Sequence, residues 1–241
     1  MFKKKWPQRV AKWLGQANDD HDRPRLISRA QHGVSRKHIS ESALKVLYRL
    51  HKHGFAAYLV GGGVRDLLLE RKSKDFDIAT NATPEQIREL FINSRIIGRR
   101  FRIVHVVFQE EIVEVTTFRA AAQEKTPSNV SPIRYENTFG TLEEDAWRRD
   151  FTVNALYYNI SDFSIVDHTG GMVDLAQQTL RMIGDPLTRF QEDPVRLLRA
   201  IRFAAKLNFQ LEPTVEENVK KLSRLLLKVP GSRLLLEFEK L

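Results

Sequence analysis

The stretch that most constrains this 241-residue chain runs from Tyr58 to Thr80, Y-L-V-G-G-G-V-R-D-L-L-L-E-R-K-S-K-D-F-D-I-A-T. Tyr58-Leu59-Val60 reads as a short buried strand, three glycines follow, and Val64–Leu69 reads as the start of a helix. Glycines between a strand and a helix let backbone N–H groups approach an anion, and a helix N-terminus adds a favourable dipole. Arg65, in the first helical turn, adds a charged donor. Asp75 and Asp77 are two apart, so on an extended strand both side chains point to one face, with Phe76 and Ile78 turned to the core. Two carboxylates that close repel each other, and a divalent metal is the usual compensation. A glycine run alone, or an Asp-x-Asp alone, is common in loops. Their order here, strand, Gly-Gly-Gly, helix, acid pair, is hard to explain as scaffold. Neither the G-x-x-x-x-G-K-[ST] loop nor the G-x-G-x-x-G fingerprint is present.

The length suits one large or two small domains with ample core. There is no cysteine, which excludes disulfides and thiolate metal sites within the chain. No apolar run is long enough to span a bilayer, so no membrane partner is expected. The net charge of +9 is uneven: residues 1–38 hold ten Lys/Arg against three Asp, and the remainder is nearly balanced. A basic extension attracts nucleic acid through phosphate contacts and is also a common solubility feature. Residues 1–38 read as a mostly flexible extension, with Trp6 and Trp13 as docking or base-stacking candidates.

Downstream, Ser40–His53 reads as a helix capped by Ser40, and Thr83–Phe91 as a second with Pro84 at its first position. Arg95, Arg99, Arg100 and Arg102 form an acid-free cluster before a strand at 101–108, and suit phosphate or RNA backbone. A tight Gln109-Glu110 connection leads to a strand over Glu111–Phe118, where Glu114 is either a third carboxylate or an ordinary surface residue. Residues 120–142 read as a loop. Glu143–Leu156 reads as one helix carrying Arg148, Arg149, Asp150 and Asn154, polar groups that must be paired internally or face a ligand. A hairpin over 157–167 follows. From Asp193 the chain reads as helical: Asp193 caps, Leu197, Leu198, Ile201 and Ala205 form one face, and Arg196, Arg199, Arg202 and Lys206 form a basic stripe. No acid later in that helix pairs with the stripe, which favours a ligand.

Six ordered segments, G-G-G-V-R-D-L-L-L (61–69), D-F-D (75–77), E-V-T-T-F-R (114–119), R-R-D-F-T-V-N-A-L (148–156), G-G-M-V-D-L (170–175) and E-D-P-V-R-L-L-R-A-I-R-F-A (192–204), resemble the class II tRNA nucleotidyltransferase/poly(A) polymerase family, within the polymerase β-like superfamily. The resemblance covers roughly residues 35–235. Within the family, G-R-R-F-R-I-V-H-V (98–106) and the basic extension with H-G-V-S-R-K-H-I-S resemble the bacterial poly(A) polymerase group.

The resemblance implies an α/β (α+β) nucleotidyltransferase head with a small mixed sheet, followed by an all-helical neck. The boundaries expected are an extension at 1–38, a head at 39–180 and a neck at 181–241, where family members continue into a longer helical body. It implies a cytoplasmic enzyme transferring AMP from ATP to RNA 3′ ends, with Mg²⁺ held by Asp75 and Asp77 and with Asp150 as a third active-site acid. Gly62 and Arg65 would meet the triphosphate, Arg149 and Asn154 the sugar and phosphate, Asp193 and Arg196 the base, and Arg199 and Arg202 ATP. The rival expectations are a CCA-adding enzyme and a non-catalytic RNA-binding module that uses the basic extension.

Overall fold

A computed structural model describes residues 24–73, 75–98, 102–120 and 139–240. Trp6, Trp13, Arg99, Arg100 and most of the expected 120–142 loop lie outside the described residues. The chain divides into two compact units. One is a sheet unit within Asp20–Arg148 and Asn154–His168, and the other a largely helical unit formed by Arg149–Val153 with Thr169–Leu241.

The sheet unit is built on eight strands: β1 (Arg25–Ile27), β2 (Ala57–Val60), β3 (Asp77–Thr80), β4 (Ser94–Ile97), β5 (Ile103–Val107), β6 (Ile112–Thr117), β7 (Leu156–Asn159) and β8 (Ile165–Asp167). Their order is β1-β8-β7-β2-β3-β6-β5-β4. Every pair is antiparallel except β3 and β6, which run parallel. A parallel pair needs a crossover; here it comprises α3 (Pro84–Leu90), β4 and β5. The expected mixed α/β class is therefore found, with a sheet larger than the small one foreseen.

Helix α1 (Glu41–Lys52) begins at Ser40, whose Oγ accepts from the Ala43 N–H. Its Ala43, Val46, Leu47 and Leu50 are fully buried, and it packs on β2, β3 and β6. Burying each leucine contributes roughly 1.5–3 kcal/mol. Helix α3 opens with a Thr83–Gln86 capping box and Pro84 in its first turn, and covers β4, β5 and β6. The strands alternate accordingly: Val104, Val106, Val113 and Val115 are fully buried, while Ile103, His105, Ile112 and Glu114 point the other way and stay partly exposed.

Two expectations change here. Residues 24–38, read as flexible, instead add β1 to the edge of the sheet. His32 accepts the Val34 N–H at Nδ1, 3.2 Å, so its Nε2–H donates to the Phe163 carbonyl, 2.8 Å. The Arg29 and Arg36 guanidiniums lie 5.6 and 4.4 Å from the Phe163 ring centre. The single helix expected at 143–156 is in fact α4 (Leu142–Trp147), a turn, a 3₁₀ segment at Thr152–Asn154 and then β7. Burial of Phe151 and its backbone bridge to Met182 break the helical run.

In the helical unit, α5 (Gly171–Gln177), α6 (Pro186–Glu192), α7 (Val195–Leu207), α8 (Pro213–Leu222) and α9 (Gly231–Phe238) follow in order. A short parallel pair, β9 (Thr179–Leu180) with β10 (Gln210–Leu211), interrupts what was expected to be all helix. Val195, Leu197 and Ala200 of α7 are buried, as is Phe190 of α6. Phe151 meets Phe203 edge-on at 5.7 Å. Helix α7 starts one residue later than expected, with Asp193 accepting the Val195 N–H.

Candidate active site

The acid pair sits where β3 begins. Asp77 is the first residue of β3 and Asp75 lies in the approach to it. The parallel pairing of β3 with β6 sets Asp77 directly opposite Glu114, so both carboxylates project from one face of the sheet. The row continues across the antiparallel partners: Glu114 opposes His105, and His105 opposes Arg95. His105 Nε2 stands 3.4 Å from Glu114 Oε1. The sequence contained a signal for this row. A two-residue turn at Gln109-Glu110 pairs residues symmetrically about itself, which brings 105 opposite 114.

The glycine turn lies at the end of β2. Gly61 has φ 75° and ψ −141°, a region only glycine occupies at low cost. It leads into α2 (Gly62–Leu68). A Cβ on Gly63 would sit 3.2 Å from the Phe76 ring and 3.3 Å from the Asp75 carbonyl oxygen. Glycine here thus allows the turn to lie against the acid segment. Arg65 is buried; it donates from Nε to Asp66 Oδ1 at 2.9 Å and from Nη1 to Asn154 Oδ1 at 2.5 Å. Two of the predicted site residues, Arg65 and Asn154, are therefore joined. Close by in sequence, the buried Asp145 accepts from Tyr157 Oη at 2.7 Å and Arg148 Nε at 3.0 Å. Arg148 is thus paired internally, as the sequence left open, but with Asp145, an acid the sequence reading did not single out.

The other predicted residues fall in the helical unit. Backbone bonds from Ile183 N to Asp150 O and from Thr152 N to Arg181 O hold Asp150 in place. Thr152 Oγ1 and Arg181 Nε both donate to Asp174 and tie this segment to α5. Arg189 Nη2 donates to the Arg149 carbonyl at 3.0 Å. Asp150 then receives two guanidiniums, Arg196 Nε on Oδ1 at 2.7 Å and Arg199 Nη1 on Oδ2 at 2.6 Å. Burial alone would raise the Asp150 pKa, but the charges and hydrogen bonds of Arg196 and Arg199 hold it below the ordinary carboxylate value. Arg199 and Arg202 share Glu237 of α9, at 3.0 Å to Oε1 and 3.1 Å to Oε2. Asp193 pairs with Arg233 at 2.9 Å.

The arginine stripe of α7 is therefore not acid-free. Its partners come from other elements, above all Asp150 and Glu237, which helix periodicity cannot show. Arg196 keeps Nη1 on the Arg189 carbonyl and Glu192. Similarly, Arg102 of the upstream cluster pairs with Glu85, while Arg95 lies exposed on β4.

Among the described residues no three His, Asp or Glu side chains gather into a metal cage. Asp75, Asp77 and Glu114 offer an open, all-oxygen set. That suits Mg²⁺, which is usually held by one or two carboxylates together with substrate phosphates and water. The donors fit the ion on chemistry.

A model described as "Poly A polymerase head domain" matches residues 57–181. The chain belongs to the poly A polymerase head-domain family. A second model, "Probable RNA and SrmB- binding site of polymerase A", matches 208–241. The chain is 55% identical to Poly(A) polymerase I of Salmonella typhi over 223 residues, which covers 90% of the chain and 48% of that protein. It is 40% identical to the CCA-adding enzyme of Bacillus pumilus over 202 residues, covering 83% and 49%. The crystal structure of the Bacillus stearothermophilus CCA-adding enzyme in complex with CTP matches with a TM-score of 0.72 at 37% identity, covering 82% of this chain and 47% of that one. The chain spans about half the length of the curated relatives it matches. The family resemblance read from the motifs, with bacterial poly(A) polymerases foremost, is borne out.

Proposed function

We propose that this chain carries the nucleotidyl-transfer centre of a cytoplasmic poly(A) polymerase, moving AMP from ATP to an RNA 3′-hydroxyl with release of pyrophosphate. The observation that carries the reading is the facing pair Asp77 and Glu114, with Asp75 beside it, in a head-family domain. Asp75 and Asp77 would hold Mg²⁺, with Glu114 as a further oxygen donor. The ion, when bound, neutralises charge on the triphosphate and favours ionisation of the attacking hydroxyl.

The chain's own groups supply binding and orientation. The turn at Gly61–Gly63 lets backbone N–H groups close on the triphosphate. Arg65, buried and fixed on Asp66, holds Asn154 for sugar or phosphate contact, and Arg149 is proposed as a further sugar or phosphate contact. Asp150 enters the proposed site as the acid that fixes Arg196 and Arg199. A guanidinium locked on two carboxylates presents its remaining N–H donors in one orientation, which suits Arg196, with Asp193, for reading a base edge. Arg199 and Arg202, fixed by Glu237, are proposed to face ATP.

CCA addition is the second reading, and the structural match to a CTP-bound CCA-adding enzyme supports it. Identity favours poly(A) addition, at 55% against 40%. Replacing Asp75 or Asp77 with Ala tests the centre itself. Either variant should lose AMP addition to RNA while still folding and partly retaining ATP binding; near wild-type addition in either contradicts the proposal.

A further inference from the structure

Beyond the acids, the described residues leave the same face of the sheet open. Along the row Asp77, Glu114, His105, Arg95, one residue per strand, the charge passes from negative to positive. Strands lie about 4.8 Å apart, which places His105 and Arg95 roughly 10 and 14 Å from Asp77. The Glu114 side chain is 47% exposed and that of His105 27%. Arg95 is exposed, and no described acid forms an ion pair with it. Around the row Ile97, Val107 and Ile112 leave 39–54% of their surface in water. By strand alternation and register, all three share the face of His105 and Glu114, because Ile97 opposes Ile103 and Val107 opposes Ile112.

We propose that this open face of β4, β5 and β6 is the acceptor-strand subsite. The last phosphodiesters of a single-stranded RNA would lie over His105 and Arg95, with riboses and bases against Ile97, Val107 and Ile112, and the terminal hydroxyl above Asp77 and Glu114. The proposal rests on the nucleotidyl-transfer reading for its direction: the hydroxyl belongs at the acidic end. The occupant is set by charge. A polyanion lying across the face gains from the cationic outer strand, and its uncharged hydroxyl is the part that reaches the carboxylates. A guanidinium suits phosphate oxygens, and an imidazole nitrogen carrying its proton donates to a carboxylate or to a phosphate oxygen. A facing carboxylate and histidine on bare strands have no fold-stabilising need for exposed isoleucines beside them, whereas nucleotides supply apolar surface to cover those residues.

The test measures binding of a single-stranded oligoadenylate with a 3′-deoxy end, together with KM for an extendable oligoadenylate and for ATP. Arg95→Ala should raise both the RNA dissociation constant and the RNA KM about tenfold, leave the ATP KM unchanged, and lower the slope of log affinity against log salt by about one. His105→Ala should act in the same direction, and Arg95→Lys should restore the salt slope. Wild-type RNA KM and salt slope in Arg95→Ala, in a protein that adds AMP, would overturn the subsite. If the wild-type protein adds no AMP yet RNA binding still depends on Arg95, the subsite stands and the transfer reading falls.

Discussion

Glu114 stands directly across from Asp77 on the neighbouring parallel strand. Parallel pairing fixes which residues face each other once the crossover is set, so the two residues are brought opposite each other by backbone register rather than by a loop. Such placement is rigid, and rigidity is what a charge-stabilising centre requires. Glu114→Gln keeps the side chain's shape and removes its charge. If Glu114 shares the metal, AMP addition should fall about a hundredfold or more, since several kcal/mol of charge stabilisation is involved and each 1.36 kcal/mol is tenfold. Steady-state kinetics with a circular dichroism control measures it, and an unchanged kcat places Glu114 outside the centre.

Asp150 joins the 149–153 segment to α7 through two short ion pairs. Asp150→Asn would leave Arg196 and Arg199 half-buried with one fewer countercharge. The expected loss is about 2 kcal/mol of stability, below the range for fully buried pairs because the Arg199 side chain is 35% exposed. Urea unfolding of the variant measures this. Loss of base selectivity at normal AMP-addition rates would show, in addition, that the pair orients Arg196.

The glycine turn makes a different kind of prediction. Gly61→Ala puts a Cβ at φ 75°, which should cost about 1–3 kcal/mol. Gly63→Ala adds a Cβ that presses on Phe76 and the Asp75 carbonyl. It should depress AMP addition more than stability, because the acid segment is what must shift. Thermal melting and kinetics, run side by side on both variants, separate the two effects. Equal melting temperatures for Gly61→Ala and wild type would contradict the strain argument.

His32 predicts a pH dependence. Burial lowers its pKa from the ordinary 6.5, opposed by its bond to the Phe163 carbonyl. The unfolded chain therefore takes up a proton first, and stability is lost as pH falls from about 6.5 toward the folded value. Burial also lowers the His168 pKa, so the two act together. The urea midpoint of wild type should drop between pH 7 and pH 5, and His32→Gln should flatten part of that drop. An identical slope in the variant would remove His32 from the account. Glu237, whose pKa is lowered by Arg199 against the effect of burial, adds a separate loss only in stronger acid.

Much of the head was legible because its signals are local. Ser40, Thr83 and Pro84 mark helix starts through their own capping chemistry, and the Gly61–Asp77 order follows from strand and turn geometry. What was not legible depended on distant partners. Glu237 neutralises Arg199 and Arg202 from 35 or more residues away, and no helical period reveals that. Residues 143–156 kept a helical pattern, yet Phe151 was drawn into a bridge with Met182. Residues 24–38 looked too polar to order, but one buried imidazole and two arginines over Phe163 hold them.

The central claim is AMP transfer to RNA, and nucleotide incorporation tests it most directly. The protein is incubated with Mg²⁺ and, in parallel, an oligoadenylate or a tRNA lacking its 3′ end, supplying ATP, CTP, GTP or UTP one at a time. The account predicts lengthening of both RNAs with ATP and little with the other three, abolished in Asp77→Ala. Strong CTP incorporation on the shortened tRNA, with ATP inactive on oligoadenylate, would contradict it.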